Sequence, residues 1–226
     1  MLYCISDIHG ELDLFIKLLK KINFNKNDQL IILGDIIDKG TKSIELSELI
    51  FSMENVKVLM GNHEYEFYKY YQALKQQNKL DILKLQSFFP EEEKKLDNNI
   101  INHLINLPFY FETNDVIFVH AGVLLDCNNN IVDLDKTPNE YFVYDREFKN
   151  DYVIYNSNKC VIFGHTPTCY TNNNFNIIKY KRANSLNKSD IKNYYKIHID
   201  TGVYLTNVLG CICLDTMEEF YVDKFS

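Results

Sequence analysis

Apolar and polar positions in the first third of the chain switch between two periods. Residues 2–6 form a short apolar run ending at Asp7, residues 30–33 a second ending at Gly34-Asp35, and residues 56–60 a third ending at Gly61-Asn62. Short apolar runs bounded by turn residues read as buried strands. Between them, Leu12, Phe15, Ile16, Leu18 and Leu19 recur at helical spacing over residues 11–22, and residues 43–53 read as a second helix. This βαβαβ order implies parallel strands with right-handed crossovers. It also sets each polar motif just beyond a strand's carboxyl end, where open α/β sheets place their ligands.

Residues 64–106 read as mainly helical, with a break near Pro90. The run Glu91-Glu92-Glu93-Lys94-Lys95 reads as the solvated start of a helix, acids first and bases after, as the helix dipole favours. Strands return at 109–112, at 116–119 before His120, and at 160–163 before Gly164-His165. Further strand-like segments fall at 177–180, 195–199, 208–214 and 219–222, with a polar loop expected over 181–193. The 226 residues suit one domain with a sizeable core, and neither a linker nor an internal repeat divides them.

Composition narrows the function classes. A net charge of −7 disfavours a non-specific nucleic-acid binder, so any cations that meet a phosphorylated substrate must be concentrated in the site. No apolar run approaches the roughly 18 residues that span a membrane. The opening MLYCISDIHG lacks a signal-peptide pattern. A cytoplasmic protein without a membrane partner is expected; oligomeric state is not legible. Cys4, Cys127, Cys160, Cys169, Cys211 and Cys213 are scattered, which reads as buried free thiols in a reducing compartment, with Cys211 and Cys213 on one strand face.

The chemistry lies in the strand-end motifs. Asp7 and His9, two apart, would point to one side if the strand continued through them, and could grip one cation. Asp35 could bridge two ions with its two oxygens, and Asn62, His120 and His165 offer one oxygen and two imidazoles to a second ion. A mixed nitrogen and oxygen set suits Mn, Fe or Zn better than Ca or Mg. With no cysteine in the set, a structural zinc site is disfavoured. Any one of these residues alone reads as a cap, a turn or a core histidine; only the ordered series is specific.

That series (SDIHG, GDIIDKG, GNHE, VHAG and FGHTP) resembles the calcineurin-like metallophosphoesterases, and within them the phosphoprotein phosphatase family in its compact bacterial and phage form. The last motif reads Gly164-His165-Thr166-Pro167, where the wider superfamily commonly has a second histidine. Tyr144-Asp145-Arg146-Glu147-Phe148 resembles that branch's phosphate-binding segment, and His198-Ile199-Asp200-Thr201-Gly202 its IDTG segment. The resemblance implies an α/β fold, an αββα sandwich of two mixed sheets flanked by helices. It implies two divalent transition-metal ions, Mn²⁺ foremost with Fe or Zn as alternatives. Asp7, His9 and Asp35 would hold the first, and Asp35, Asn62, His120 and His165 the second. His63 would be the general acid, oriented by Asp38. Arg146, Asn62 and Lys39 would bind phosphate.

Direct hydrolysis by a metal-bridging hydroxide follows, without a phosphoenzyme. The leading substrate is phosphoserine or phosphothreonine in proteins, a choice favoured by the chain's compactness. The alternatives are a symmetrical dinucleoside polyphosphate hydrolase and, from a different class, a metal-bound phosphate-binding scaffold. Lys39 stands where the resembled family has Arg; it keeps the charge and loses the planar fork, so weaker or less selective phosphate binding is expected unless it points to solvent. His103 reads as structural or exposed. His198, alternating with Ile197 and Ile199, could back the site or lie in the core.

Overall fold

The computed structural model describes residues 1–89, 93–172, 174–183 and 190–225. Two five-stranded sheets face one another. The first joins β1 (Leu2–Ile5), β2 (Gln29–Ile32) and β3 (Val56–Val58) in parallel, with β9 (Val208–Cys213) antiparallel to β1 and β10 (Glu219–Asp223) on the edge. The second centres on parallel β5 (Val116–Val119), β6 (Cys160–Phe163) and β8 (Tyr194–His198), flanked by antiparallel β4 (Tyr110–Glu112) and β7 (Ile178–Lys181). Both sheets are mixed, as expected.

The side-chain period of two explains the layering. On β1 and β2, Tyr3, Ile5, Leu30 and Ile32 pack beneath α1 (Leu12–Lys21) and α2 (Ser43–Phe51), while Cys4 and Ile31 meet Phe118, Cys160, Ile162 and Ile197 between the sheets. The outer face of the second sheet, with Val161 and Phe163, is covered by Phe142, Phe148 and Tyr155. Cys211 and Cys213 share one face, as predicted, and it is the helix-covered one; of the thiols expected to be buried, Cys127 is exposed and Cys169 half-buried.

The helical stretch after the third strand resolves into α3 (Asn62–Gln76), α4 (Ile82–Gln86) and α5 (Asn98–Leu104). The expected break at Pro90 and the acids Glu91 and Glu92 lie outside the described residues, as do residues 184–189 of the expected polar loop. Glu93 to Lys95 do not start a helix. Gln86 holds this stretch through the Leu96 amide (2.6 Å), and α5 begins later, where Asp97 accepts from the Ile100 amide (2.8 Å). A cap decided the boundary over charge order. The short α6 (Asn139–Tyr144), α7 (Cys169–Asn172) and α8 (Val203–Thr206) are too brief for periodicity to announce. Among the described residues, no helix is long and apolar enough to cross a membrane.

Candidate metal centre

Every motif sits just past the end of a strand, but not by continuing it. Asp7 (φ 55°), His9 (49°), Asp35 (52°), Asp38 (69°), Lys39 (63°) and His165 (69°) all lie in the left-handed region. Non-glycine residues visit it rarely, and here it turns each side chain off its strand axis toward a common point. The expectation that Asp7 and His9 share a side through strand continuation is therefore corrected: the loop places them. Close packing keeps the loops together. A Cβ on Gly61 would overlap the Asp35 carboxylate, and one on Gly164 would overlap Ser6 and Asp7.

Two groups of candidate ligands share Asp35: His9, Asp35 and His63, and Asp35, His120 and His165. Asp35 Oδ1 lies 3.6 Å from His120 Nε2, while Oδ2 lies 3.7 Å from His9 Nε2 and 3.8 Å from His63 Nε2. Asn62 Oδ1 is 2.8 Å from His165 Nδ1 and 3.1 Å from His120 Nε2. His120 Nδ1–H donates to the Leu33 carbonyl (2.9 Å), which leaves Nε2 as a bare lone pair. His9 is fixed alike by Nδ1–H to the Ile37 carbonyl (3.1 Å). Lone pairs of His120, Asn62 and Asp35 thus face one point, an arrangement that a cation would satisfy. Asp7, buried beside them, stands outside both groups; its Oδ2 accepts from the Ser6 hydroxyl and from the His165 amide (3.1 Å).

Electrostatics agree with a cation site. Burial and then the Lys39 ammonium push His9 down to about 3, and burial and then His120 push His165 down to about 2, so both imidazoles are neutral at physiological pH, the form in which histidine can ligate a metal. Burial and the Asp7 charge push Asp35 and Asp200 well above the carboxylate range, a repulsion that bound cations would relieve.

His63 differs from these. Its Nδ1–H donates to Asp38 Oδ2 at 2.7 Å. Burial opposes its charged form, but the Asp38 bond and the Asp35 charge outweigh this and raise its pKa. Asp38 is lowered to about 2, first by that hydrogen bond. The pair favours the imidazolium form of His63 and the carboxylate form of Asp38.

Lys39 does not simply point to solvent. Its Nζ lies 2.8 Å from His9 Nε2, the lone pair that a first cation would take, so Lys39 must turn away for that ion to bind. Asp7, His9, Lys39, Arg146, His165, Tyr170, Asp200 and Tyr204 line one cavity of about 190 Å³. His103 is exposed and stacks on Phe51. His198 is fully buried, lies flat on Phe163 and bonds the Thr166 carbonyl behind His165, so it does not line the cavity.

Two residues carry more than sequence assigned to them. Asp200 lines the cavity, and its carboxylate accepts from the Gly202 amide (2.7 Å). Glu64 is fully buried and accepts from the amides of Asp35 (2.8 Å), Ile36 (2.9 Å), Ile37 (3.2 Å) and Gly61 (3.0 Å). It caps α3 and ties the Asp35 loop to it. The signal was the fourth letter of GNHE. Glu64→Ala leaves these donors without a partner and is expected to lower unfolding free energy by about 3 kcal/mol or more. Urea denaturation measures this; a loss below about 1 kcal/mol would refute the role.

The family profile described as "Calcineurin-like phosphoesterase" matches residues 2–192. The symmetrical bis(5'-nucleosyl)-tetraphosphatase of Vibrio campbellii is 32% identical over 123 residues, 54% of this chain and 44% of that enzyme. The chain thus spans less than half the length of that curated relative. The asymmetrical bis(5'-nucleosyl)-tetraphosphatase PrpE of Oceanobacillus iheyensis is 25% identical, with 98% of this chain and 95% of that one covered. In fold, the crystal structure of a candidate diadenosine tetraphosphatase superposes with a TM-score of 0.71 at 16% identity, covering 100% of this chain and 94% of its own. With two candidate ligand groups sharing Asp35 and the family profile spanning most of its length, this chain belongs to the calcineurin-like phosphoesterases.

Proposed function

We propose that this protein hydrolyses dinucleoside polyphosphates, with a phosphoric anhydride as the scissile bond. The observation that carries this reading is the cavity itself. Beside the metal ligands it presents two cations, Lys39 and Arg146, and the half-open side chains of Tyr170, Tyr204 and Leu205, 67%, 59% and 52% exposed. A row of cations suits a chain of phosphates, and exposed tyrosines suit the flat face of a base. The relation to PrpE over nearly the whole of both chains supports the same class. The phosphoserine or phosphothreonine reading, expected from the motif resemblance and favoured by compactness, is the weaker of the two. A non-catalytic scaffold is disfavoured because the His63–Asp38 pair is intact.

Two divalent cations, with manganese the first choice, would activate water and neutralise phosphoryl charge when bound. The first would be held by Asp7, His9 and Asp35, the second by Asp35, Asn62, His120 and His165. The chain's own groups supply the rest. Arg146, Lys39 and Asn62 bind and orient the phosphoryl oxygens, and His63 gives its proton to the leaving oxygen.

Incubation in Mn²⁺ with diadenosine tetraphosphate or with a phosphothreonine peptide tests the substrate class. Faster turnover of the dinucleotide is expected; preference for the peptide would overturn the proposal. Chromatography of the products separates two ADP from ATP plus AMP, the symmetrical from the asymmetrical cut.

The role of His63 predicts a pH effect. Because Asp38 raises the His63 pKa, the acid form persists to higher pH than in an unpaired histidine. Asp38→Asn removes that support, so the alkaline limb of the kcat/KM profile is expected to move to lower pH. A limb that stays in place would remove His63 as the titrating acid.

A further inference from the structure

The segment that follows Arg146 is gathered around one buried cation. Lys196 on β8 is fully buried, on the sheet face opposite Ile197. Its ammonium donates to the carbonyls of Phe148 (2.9 Å), Asn150 (2.7 Å) and Val153 (3.1 Å), which uses all three of its protons. The rings of Tyr180, Phe148 and Tyr195 lie 4.5, 5.4 and 5.7 Å from it. Tyr180 adds a hydrogen bond to the Lys149 carbonyl (2.9 Å). Residues 148–153 therefore wrap a charge, where an apolar side chain would fill the same space without the desolvation of an ion.

The wrapping reaches Arg146 within two residues. Asp145 Oδ1 accepts from the amides of Glu147 (2.6 Å) and Phe148 (2.9 Å), and Lys149 Nζ donates to the Arg146 carbonyl (2.8 Å). The Phe148 ring packs edge-on against Phe163 of β6, 5.1 Å away, two residues before His165. Arg146 itself is exposed and makes its approach to the cavity from this turn.

We propose that Lys196 is a positioning residue for phosphate capture: by drawing three carbonyls of the 148–153 segment to one point, it sets where the Arg146 guanidinium stands relative to the metal ligands. This rests on the reading of Arg146 as a phosphate ligand. Burial lowers the Lys196 pKa to about 8, with Asp151 pulling the other way. The titratable groups facing it are Asp151 from the wrapped segment, Tyr180 from β7, and Tyr195 and His198 from β8. Loss of a proton from this ammonium would take from the three carbonyls their charged partner.

The test is binding of inorganic phosphate to the manganese-loaded protein by calorimetry, as a double-mutant cycle. Lys196→Met and Arg146→Ala are each expected to raise the phosphate Kd by about 10-fold, and the double variant to be no weaker than Arg146→Ala alone. Additive losses, or an unchanged Kd in Lys196→Met, would overturn the proposal. An unchanged Kd in Arg146→Ala would instead overturn the phosphate role of Arg146 and this proposal with it. Lys196→Gln, which keeps two N–H donors and removes the charge, is read beside Lys196→Met. Hydrogen exchange on the wild-type protein needs no variant to fold. After correction for intrinsic rates, protection of residues 147–153 should fall as pH rises through about 8 while β5 and β6 stay protected. Protection that stays level would also overturn it.

Discussion

Asp35→Asn is expected to reduce kcat/KM by about 10³-fold or more, the largest single effect in the molecule. The two Asp35 oxygens face different donor groups, Oδ1 toward His120 and Oδ2 toward His9 and His63. An asparagine can offer its one oxygen to one group only, and it then turns N–H donors on the other. One substitution thus weakens both ion sites and removes the charge that holds them together. Metal content by plasma emission, measured with turnover, checks it. Two ions retained with undiminished turnover would refute the bridging role. The fold should survive, because the Asp35 backbone is held separately by Glu64 through its amide (2.8 Å).

His63→Asn is the second large effect, about 10²-fold in kcat for a substrate with a poor leaving group. The loss should shrink on p-nitrophenyl phosphate, whose leaving oxygen needs no proton, and grow on phenyl phosphate. This leaving-group dependence separates an acid from a ligand. The separation matters because His63 Nε2 also falls within the donor group formed with His9 and Asp35. If His63→Asn loses an ion and slows both substrates equally, His63 is a ligand and the role of its Asp38 partner must be rewritten.

Much of this site was legible because its chemistry sits in short local motifs. Asp7, His9, Asp35, Asn62, His120 and His165 each follow an apolar run, and such runs become adjacent parallel strands by rules that need no distant information. The reason for convergence was less legible. Strand alternation placed Asp7 and His9 on one side, whereas both are held at positive φ by loop packing that hydrophobic period does not encode. Long-range polar anchoring was also hidden. Lys196 in a strand of mixed polarity gives no hint that it meets carbonyls 43–48 positions earlier. Glu93 to Lys95 failed in the other direction: charge order favoured a helix that Asp97, two residues on, begins instead.

The candidate ligands come from both sheets. Asp7, His9, Asp35 and Asn62 follow strands of the first, His120 and His165 strands of the second. Ions bound here would act as rivets across the sandwich, joining halves otherwise held by side-chain packing and a few bonds such as that of His120 to the Leu33 carbonyl. Binding to the folded chain alone raises its stability in step with free metal. Metal scarcity would then shorten the life of the chain as well as slow its chemistry, because an unriveted sandwich opens more often to proteases.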